Sequence, residues 1–194
     1  MQQIGVFGAS FDPPTIGHTS VIEQALKVFD EILLVPSLSH PFLKNLAPIA
    51  DRLAMLKLFL NHWQGNPDGD KVKIYNVEAV LQQQQTIQSP IYTYDVLSAI
   101  EKIYQVKQQD FQLRFIVGPD IAKAQVWQKF YRYQDIEKQW PLFIAQEIIP
   151  VHSTMVREAV AQHGDITPWV GEPIARYIFQ HGLYQAKENS DEKQ

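Results

Sequence analysis

Within its first 36 residues the chain runs from a short apolar strand into a loop of small residues and prolines, then an amphipathic helix, then a second apolar run. Gln3-Ile4-Gly5-Val6-Phe7 has the apolar character of a strand, and Asp12-Pro13-Pro14 forbids its continuation. Val21, Ile22, Ala25, Leu26 and Phe29 recur at helical spacing and predict a helix over Thr19–Phe29. Ile32-Leu33-Leu34-Val35, closed by Pro36, has the unbroken apolarity of a strand buried on both faces of a parallel sheet. A strand–helix–strand unit of this kind crosses over right-handed, which confines the chain to a small set of α/β folds. Its first turn, Gly5–His18 (GVFGASFDPPTIGH), joins a strand end to a helix start. Unpaired N–H groups and the helix dipole favour an anion at such a junction.

The alternation continues. Ser37–Pro48 has two prolines and no period. It is expected to be a loop beyond a strand's carboxyl end, where open α/β sheets place their ligands. Asp51–His62 predicts a helix with Leu53, Leu56, Phe59 and Leu60 inward and Arg52 near its start. The turn cluster Trp63–Asp70 leads to a strand over Val72–Val77, and the glutamine-rich Leu81–Ser89 reads as an exposed loop or short helix. A helix from Ile91 to about Tyr104 should turn Leu97, Ile100 and Ile103 inward. Phe111–Val117 is the next strand, ended by Gly118-Pro119-Asp120, and Leu142–Ala145 is a fifth. Ser153-Thr154 opens a helix to about His163, and Ile174, Tyr177 and Ile178 mark a last one, stopped by Gly182. The expected fold class is α/β, a doubly wound sheet of five parallel strands in one domain over residues 1–186. The charged tail, residues 187–194, is expected to be disordered.

At 194 residues the chain is long enough to bury a sizeable core. Its 17 basic against 21 acidic residues, a formal charge of −4, argue against a nucleic-acid partner and leave room for a mononucleotide. There are no cysteines, which excludes disulfides, thiolate metal sites and cysteine nucleophiles. No apolar run approaches the length of a membrane span, and the N-terminus enters a strand directly, so the expected setting is cytoplasmic with no membrane contact. Homo-oligomerisation stays open. Neither the dehydrogenase fingerprint GxGxxG nor the P-loop GxxxxGK[ST] is present.

The pattern present instead is G-x-F-G-x-x-F-D-P-x-T-x-G-H. Gly8 and Ala9 let the main chain approach a phosphate, Ser10 adds a hydroxyl, Gly17 leaves the helix start uncrowded, and His18 lies on the first turn. Taken alone, His18 could equally be a helix-start histidine with a local hydrogen bond. His152-Ser153-Thr154-Met155-Val156-Arg157 forms a second loop-to-helix junction near the far end. By themselves Ser153-Thr154 fit a simple helix cap and Arg157 a solvated side chain.

Together the two stretches resemble the signatures of the HxGH/TxGH nucleotidyltransferases, whose second motif is S-[ST]-T-x-x-R. Further stretches are similar to the nicotinate- and nicotinamide-mononucleotide adenylyltransferases. Tyr92-Thr93-Tyr94-Asp95-Val96-Leu97 resembles their Y-T-x-D-T-L, and Phe115-Ile116-Val117-Gly118-Pro119-Asp120 resembles their F-I-x-G-x-D. Trp127 lies near the tryptophan that stacks on the pyridine base, and Val170 through Tyr184 resembles the closing V-x-x-Y-I-x-x-x-x-L-Y. The resemblance implies a Rossmann-like nucleotidyltransferase fold and transfer of AMP from ATP to a pyridine mononucleotide. On that reading His18, Thr15, Lys44 and Arg157 are catalytic. ATP is held by Gly8, Ala9, Ser10, Phe11, Gly17, His18, Gly118, Asp120, Ser153, Thr154 and Arg157. The mononucleotide meets Ser10, Lys44, Thr93 and Trp127. Mg²⁺ travels with ATP and no all-protein metal cage is implied. His62, His163 and His181 are expected to be structural.

Three departures accompany the resemblance. Thr15 stands where this subgroup usually has histidine; threonine at that point is more typical of the pantetheine-phosphate adenylyltransferases. The loop His40-Pro41-Phe42-Leu43-Lys44 replaces P-P-H-K, with a shorter spacing to Arg52. Trp127 is offset by about one position, and a buried aromatic is its other reading. A pantetheine-phosphate adenylyltransferase and a weakly active nucleotide-binding module of the same fold are the alternatives. The choice between acid and amide of the pyridine is not expressed in the sequence.

Overall fold

The computed structural model describes residues 1–38, 46–63, 65–84, 89–107 and 110–186. In chain order its principal elements are β1 (Gln2–Ala9), α1 (Ile16–Ala25), β2 (Glu31–Pro36), α2 (Ile49–Leu60), β3 (Val72–Ile74), α3 (Val77–Gln84) and α4 (Thr93–Val106). They continue as β4 (Phe111–Val117), the single-turn α5 (Pro119–Ala122) and α6 (Ala124–Trp127), α7 (Tyr133–Gln139), β5 (Leu142–Ile144), α8 (Ser153–Ala161), α9 (Thr167–Val170) and α10 (Glu172–Gln180). The five strands are all parallel in the order β3-β2-β1-β4-β5. This is the doubly wound sheet expected from the alternation of apolar runs and amphipathic stretches.

The period of two along the central strands divides the core between the two faces. Ile4 and Val6 of β1 and Leu33 and Val35 of β2 face one way, toward Leu97 and Ile100 of α4 and Ile136 of α7. Phe7, Ile32 and Leu34 face the other, toward Ile22, Met55, Leu56, Val156 and Ile178 from α1, α2, α8 and α10. At Gly5 a methyl group would stand 2.6 Å from Ile116 Cδ1 and 3.0 Å from the Phe29 ring, so the missing side chain lets Phe29 lie on the sheet. No described helix is long and apolar enough to cross a membrane.

Several expected boundaries move for local reasons. The first helix begins at Ile16, capped by Thr15, and ends at Ala25. The strand expected over Val72–Val77 stops at Ile74, because edge strand β3 pairs only with Ile32–Leu34 of β2 and Val77 already starts α3. In α4 the inward stripe is Leu97, Ile100 and Tyr104, while Ile103 is exposed. Tyr104 is drawn in by a polar partner, donating its hydroxyl to Glu31 Oε2 at 2.6 Å. In α2 the inward residue near the start is Arg52, 1% exposed, and Leu53 is half-buried. Of the expected exposed stretch Leu81–Ser89, the helix takes the part through Gln84. The charged tail lies outside the described residues.

The switch point of this strand order falls between β1 and β4. From β1 the chain winds outward through β2 to β3, and from β4 it winds the other way to β5. Ligands of open α/β sheets bind in the crevice outside the carboxyl ends of the strands at that point. The segments that follow β1, β4 and β5 there bring in His18 on the first turn of α1, Asp120 in α5 and His152 at the cap of α8.

Candidate active site

The carboxyl end of β1 turns through Ser10, Phe11 and Asp12 into α1. Phe11 is fully buried and has a left-handed backbone, φ 47°. A bulky residue holds that conformation only when its surroundings impose it. Here its ring meets Phe7 edge-on at 5.6 Å and the His18 imidazole at 5.1 Å. The Asp12–Pro13 peptide is cis.

Thr15 caps α1 and His18 is the third residue of the helix. The Thr15 backbone N–H donates to His18 Nδ1 at 3.0 Å. In the neutral ring this assigns the proton to Nε2, which becomes the imidazole's own donor. Burial, with the charge of His152 added, lowers the His18 pKa to about 4. In the free protein the imidazole is therefore neutral at neutral pH, and a positive charge at His18 requires the anionic phosphate itself. The Thr15 hydroxyl donates to Val151 O at 3.0 Å and Thr15 is 1% exposed. Its part is thus to hold the ring and the crossing segment. It does not stand open to a phosphate as a neutral donor.

That crossing segment, Ile149–Val151, joins β5 to α8 and lies across the start of α1. A side chain at Gly17 would begin 2.3 Å from Val151 O and 3.3 Å from Ile149 O, so glycine is the residue that permits the crossing. Beyond it, Ser153 Oγ donates to Pro13 O at 2.8 Å. Arg157 donates from Nη1 to Asp12 O at 2.7 Å and from Nη2 to Thr154 Oγ1 at 3.0 Å. The two sequence motifs are one structural unit, with the amino ends of α1 and α8 side by side.

Two buried charges support this unit from below. Asp12 is fully buried, and its Oδ1 accepts from Tyr184 Oη at 2.6 Å and the Ala47 N–H at 3.2 Å. Its Oδ2 has no hydrogen bond and lies 3.8 Å from Arg157 Nη1. Arg52 donates to four main-chain carbonyls: Ala47 O at 2.9 Å, Ser10 O at 2.8 Å, Ser37 O at 2.6 Å and Leu38 O at 3.3 Å. It ties the loop after β1 to the loop after β2. Glu78 Oε2 completes this floor by accepting the Leu38 N–H at 2.7 Å, and burial raises its pKa to about 7.

The remaining expected residues divide. Gly8 is exposed and Ala9 and Ser10 are half-buried at the rim of β1. Gly118 has open space where a side chain would be, and Asp120 is paired with Lys123. Thr93 is the first residue of α4, whose amino end points to the same edge of the sheet. Trp127 is 4% exposed, packed 4.8 Å from the Phe130 ring and 6.2 Å from that of Phe115, with Nε1 donating to Glu137 at 2.8 Å. This corrects the expected stacking role: the ring is a core aromatic. The exposed rings of that edge are Tyr92 and Tyr131, 4.6 Å apart. Lys44 lies outside the described residues.

Among the described residues, Asp120, Glu147 and His152 bring ligand atoms within 4.8 Å of one another. All three are exposed, Lys123 already occupies Asp120, and His152 Nε2 lies 2.9 Å from Glu147 Oε1. The sequence did not announce this trio because Asp120 follows β4, whereas Glu147 and His152 lie in the segment between β5 and α8.

The half-buried imidazole, crowded by the Phe7 and Phe11 rings, predicts a pH dependence. The unfolded chain protonates His18 near its ordinary value, whereas the fold does so only near 4. The unfolded state therefore binds more protons between those values, and this group's contribution is complete above about pH 6.5 and lost as pH falls toward 4. Glu78 acts with the opposite sign, favouring the fold at low pH and losing that contribution as pH rises toward 7. Denaturant melts of the wild type and His18→Gln at matched pH isolate the histidine. The difference between them should change by on the order of 2 kcal/mol between pH 7 and pH 4. A difference that stays constant with pH would refute the assignment.

The geometry accords with comparisons to known proteins. The cytidylyltransferase-like family model matches residues 6–159. An Anaeromyxobacter sp. (strain K) protein named a probable nicotinate-nucleotide adenylyltransferase is 29% identical, over 95% of this chain and 97% of its own. The Bacillus subtilis nicotinate-nucleotide adenylyltransferase is 27% identical, over 96% and 100%. A crystal structure of a candidate nicotinate-nucleotide adenylyltransferase from Vibrio parahaemolyticus superposes with a TM-score of 0.77 at 27% identity, covering 96% of this chain and 98% of that one. The Plasmodium falciparum nicotinic acid mononucleotide adenylyltransferase complexed with NaAD shares the fold, with a TM-score of 0.73 at 18% identity and coverage of 95% and 98%. The family match runs from within β1 through the turn to His18, the other four strands and the Ser153–Arg157 junction that closes over that turn, and the chain belongs to the cytidylyltransferase-like family.

Proposed function

We propose that the protein transfers AMP from ATP to the phosphate of nicotinate mononucleotide, releasing pyrophosphate, as a cytoplasmic step in making a pyridine dinucleotide. The observation that supports the reading is the union of the two motifs: Ser153 and Arg157 bond to the Pro13 and Asp12 carbonyls, Arg157 also bonds to Thr154, and His18 packs on the Phe11 ring beside that turn. The names of the similar proteins supply the pyridine substrate.

In the reaction an oxygen of the mononucleotide's phosphate attacks the α-phosphorus of ATP. A new P–O bond forms, the bond to the β-phosphate oxygen breaks, and pyrophosphate leaves with the electron pair. The nucleophile is already anionic near neutral pH, so the protein needs no general base. Its work is alignment and charge neutralisation. His18 donates from Nε2 to the α-phosphate, with Nδ1 fixed by Thr15 and the ring held by Phe7 and Phe11. The amino end of α8, with Thr154 and Arg157, receives the β- and γ-phosphates. Lys44 adds a cation from the loop after β2, Gly8, Ala9 and Ser10 border the phosphates at the end of β1, and Thr93 belongs to the mononucleotide side. The described donors nearest the phosphate position are N–H groups and cations, which suits a Mg²⁺ ion carried by the phosphates and water. When bound, that ion neutralises the charge on the leaving pyrophosphate.

Pyrophosphate release measured in parallel with nicotinate mononucleotide, nicotinamide mononucleotide and phosphopantetheine tests the reading. Turnover should be fastest with the nicotinate substrate. Preferential turnover of phosphopantetheine would replace it, and ATP binding without turnover of any acceptor would make the protein a nucleotide-binding module.

A further inference from the structure

We propose that Tyr184, near the far end of the chain, is a positioning residue of the nucleotide site, acting through Asp12 on Arg157. The proposal rests on the adenylyl-transfer reading for the role of Arg157, and extends the site beyond residue 159, where the family match ends.

Asp12 links Tyr184 to Arg157. Its carboxylate is fully buried, and an unsatisfied buried carboxylate is costly, so its few donors determine where it points. Oδ1 receives Tyr184 Oη and the Ala47 N–H, and of the two the hydroxyl is much the shorter contact, 2.6 Å against 3.2 Å. Oδ2 is left facing Arg157 Nη1 at 3.8 Å, too long for a hydrogen bond. Arg157 is meanwhile held on the main-chain carbonyl of Asp12 and the Thr154 hydroxyl, which leaves its other N–H groups for a phosphate.

Without the tyrosine hydroxyl, Oδ1 keeps only the long Ala47 contact. The nearest replacement donor for the carboxylate is Arg157 Nη1. Closing that gap draws the guanidinium down onto Asp12, off Thr154 and away from the nucleotide. Tyr184 thereby holds the carboxylate off the arginine. Burial and the adjacent Asp12 raise the Tyr184 pKa, so the phenol stays a donor throughout the working range. The left-handed backbone at Tyr184, φ 62°, is a second mark of imposed geometry, because a bulky residue adopts it only under constraint.

The test is a double-mutant cycle of wild type, Tyr184→Phe, Arg157→Gln and the double variant. Each is measured for kcat, for the KM of ATP, for ATP affinity by calorimetry and for melting temperature. Tyr184→Phe should lower kcat/KM for ATP by about tenfold and should change nothing further once Arg157 is glutamine. The same loss in both backgrounds, or no loss in either, would overturn the proposal. Should the phenylalanine variant melt below the assay temperature, the cycle is run at a lower temperature at which all four chains are folded. A wild type that binds ATP but transfers AMP to no mononucleotide would defeat the adenylyl-transfer reading alone, and the four calorimetric affinities would still decide the role of Tyr184. A wild type that does not bind ATP would overturn both.

Discussion

Replacing His18 with alanine is expected to lower the rate of adenylyl transfer about a hundredfold or more while the fold persists. Removal of one preorganised donor to a developing oxyanion commonly costs that much. The ring is well prepared for the task. Its Nδ1 is occupied by the Thr15 N–H, its faces meet Phe7 and Phe11, and its neutral form has Nε2 free to donate. The imidazole does not reorganise when charge builds on the α-phosphate, and the incoming anion restores the positive charge that burial suppresses. Single-turnover pyrophosphate release reads the chemical step, and ATP affinity should change far less than the rate. A His18→Ala variant within threefold of wild type would remove His18 from the mechanism.

The largest expected effect on stability belongs to Arg52→Met. Methionine fills a similar volume but donates nothing, leaving the carbonyls of Ser10, Ser37, Leu38 and Ala47 short of partners. It also removes the positive charge that faces the carboxylates of Asp12 and Glu78. Breaking a buried charge network of this kind costs about 3–5 kcal/mol, a fall in melting temperature of roughly 10 °C for a chain of this size. Denaturant melts with a common slope would measure it. A loss below about 1 kcal/mol, the net worth of a single ordinary hydrogen bond, would show that water replaces the guanidinium. Activity should fall as well, because Arg52 fixes the loop that carries Ser10 and Phe11.

How much of this was legible in the sequence depends on how far each feature reaches along the chain. Strands such as Ile32–Val35 and Phe111–Val117 announce themselves because burial on both faces forces continuous apolarity. The Gly5–His18 turn was legible because its glycines, prolines and histidine are all local requirements of one loop. Arg52 was not, because a positive residue near a helix start is ordinarily solvated, and only the tertiary fold places four carbonyls around this one. Trp127 misled for a related reason: resemblance gave it a ring to stack, while Phe115, Phe130 and Glu137 claim the ring for the core. Tyr104 displaced Ile103 from the inward stripe through a hydroxyl bonded to Glu31, a partner 73 residues away. Thr15 was identified as a significant position, but the use of its hydroxyl became clear only with Val151 in place.

The crossing of Val151 over Gly17 also sets an order of assembly. Thr15 reaches a residue 136 positions away, Pro13 one 140 away, and Asp12 reaches residues 145 and 172 away. Contacts so distant in sequence close late in folding, after the loops between them have lost their freedom. During synthesis the β1–β2 pairing can form early, whereas the bonds that Asp12 makes to Arg157 and Tyr184 close only after both have emerged. A fragment cleaved within the last helix would retain the motif of the first eighteen residues and lack the Tyr184 bond to Asp12. A nucleotide that binds the finished molecule in preference to its precursors raises the stability of the whole fold.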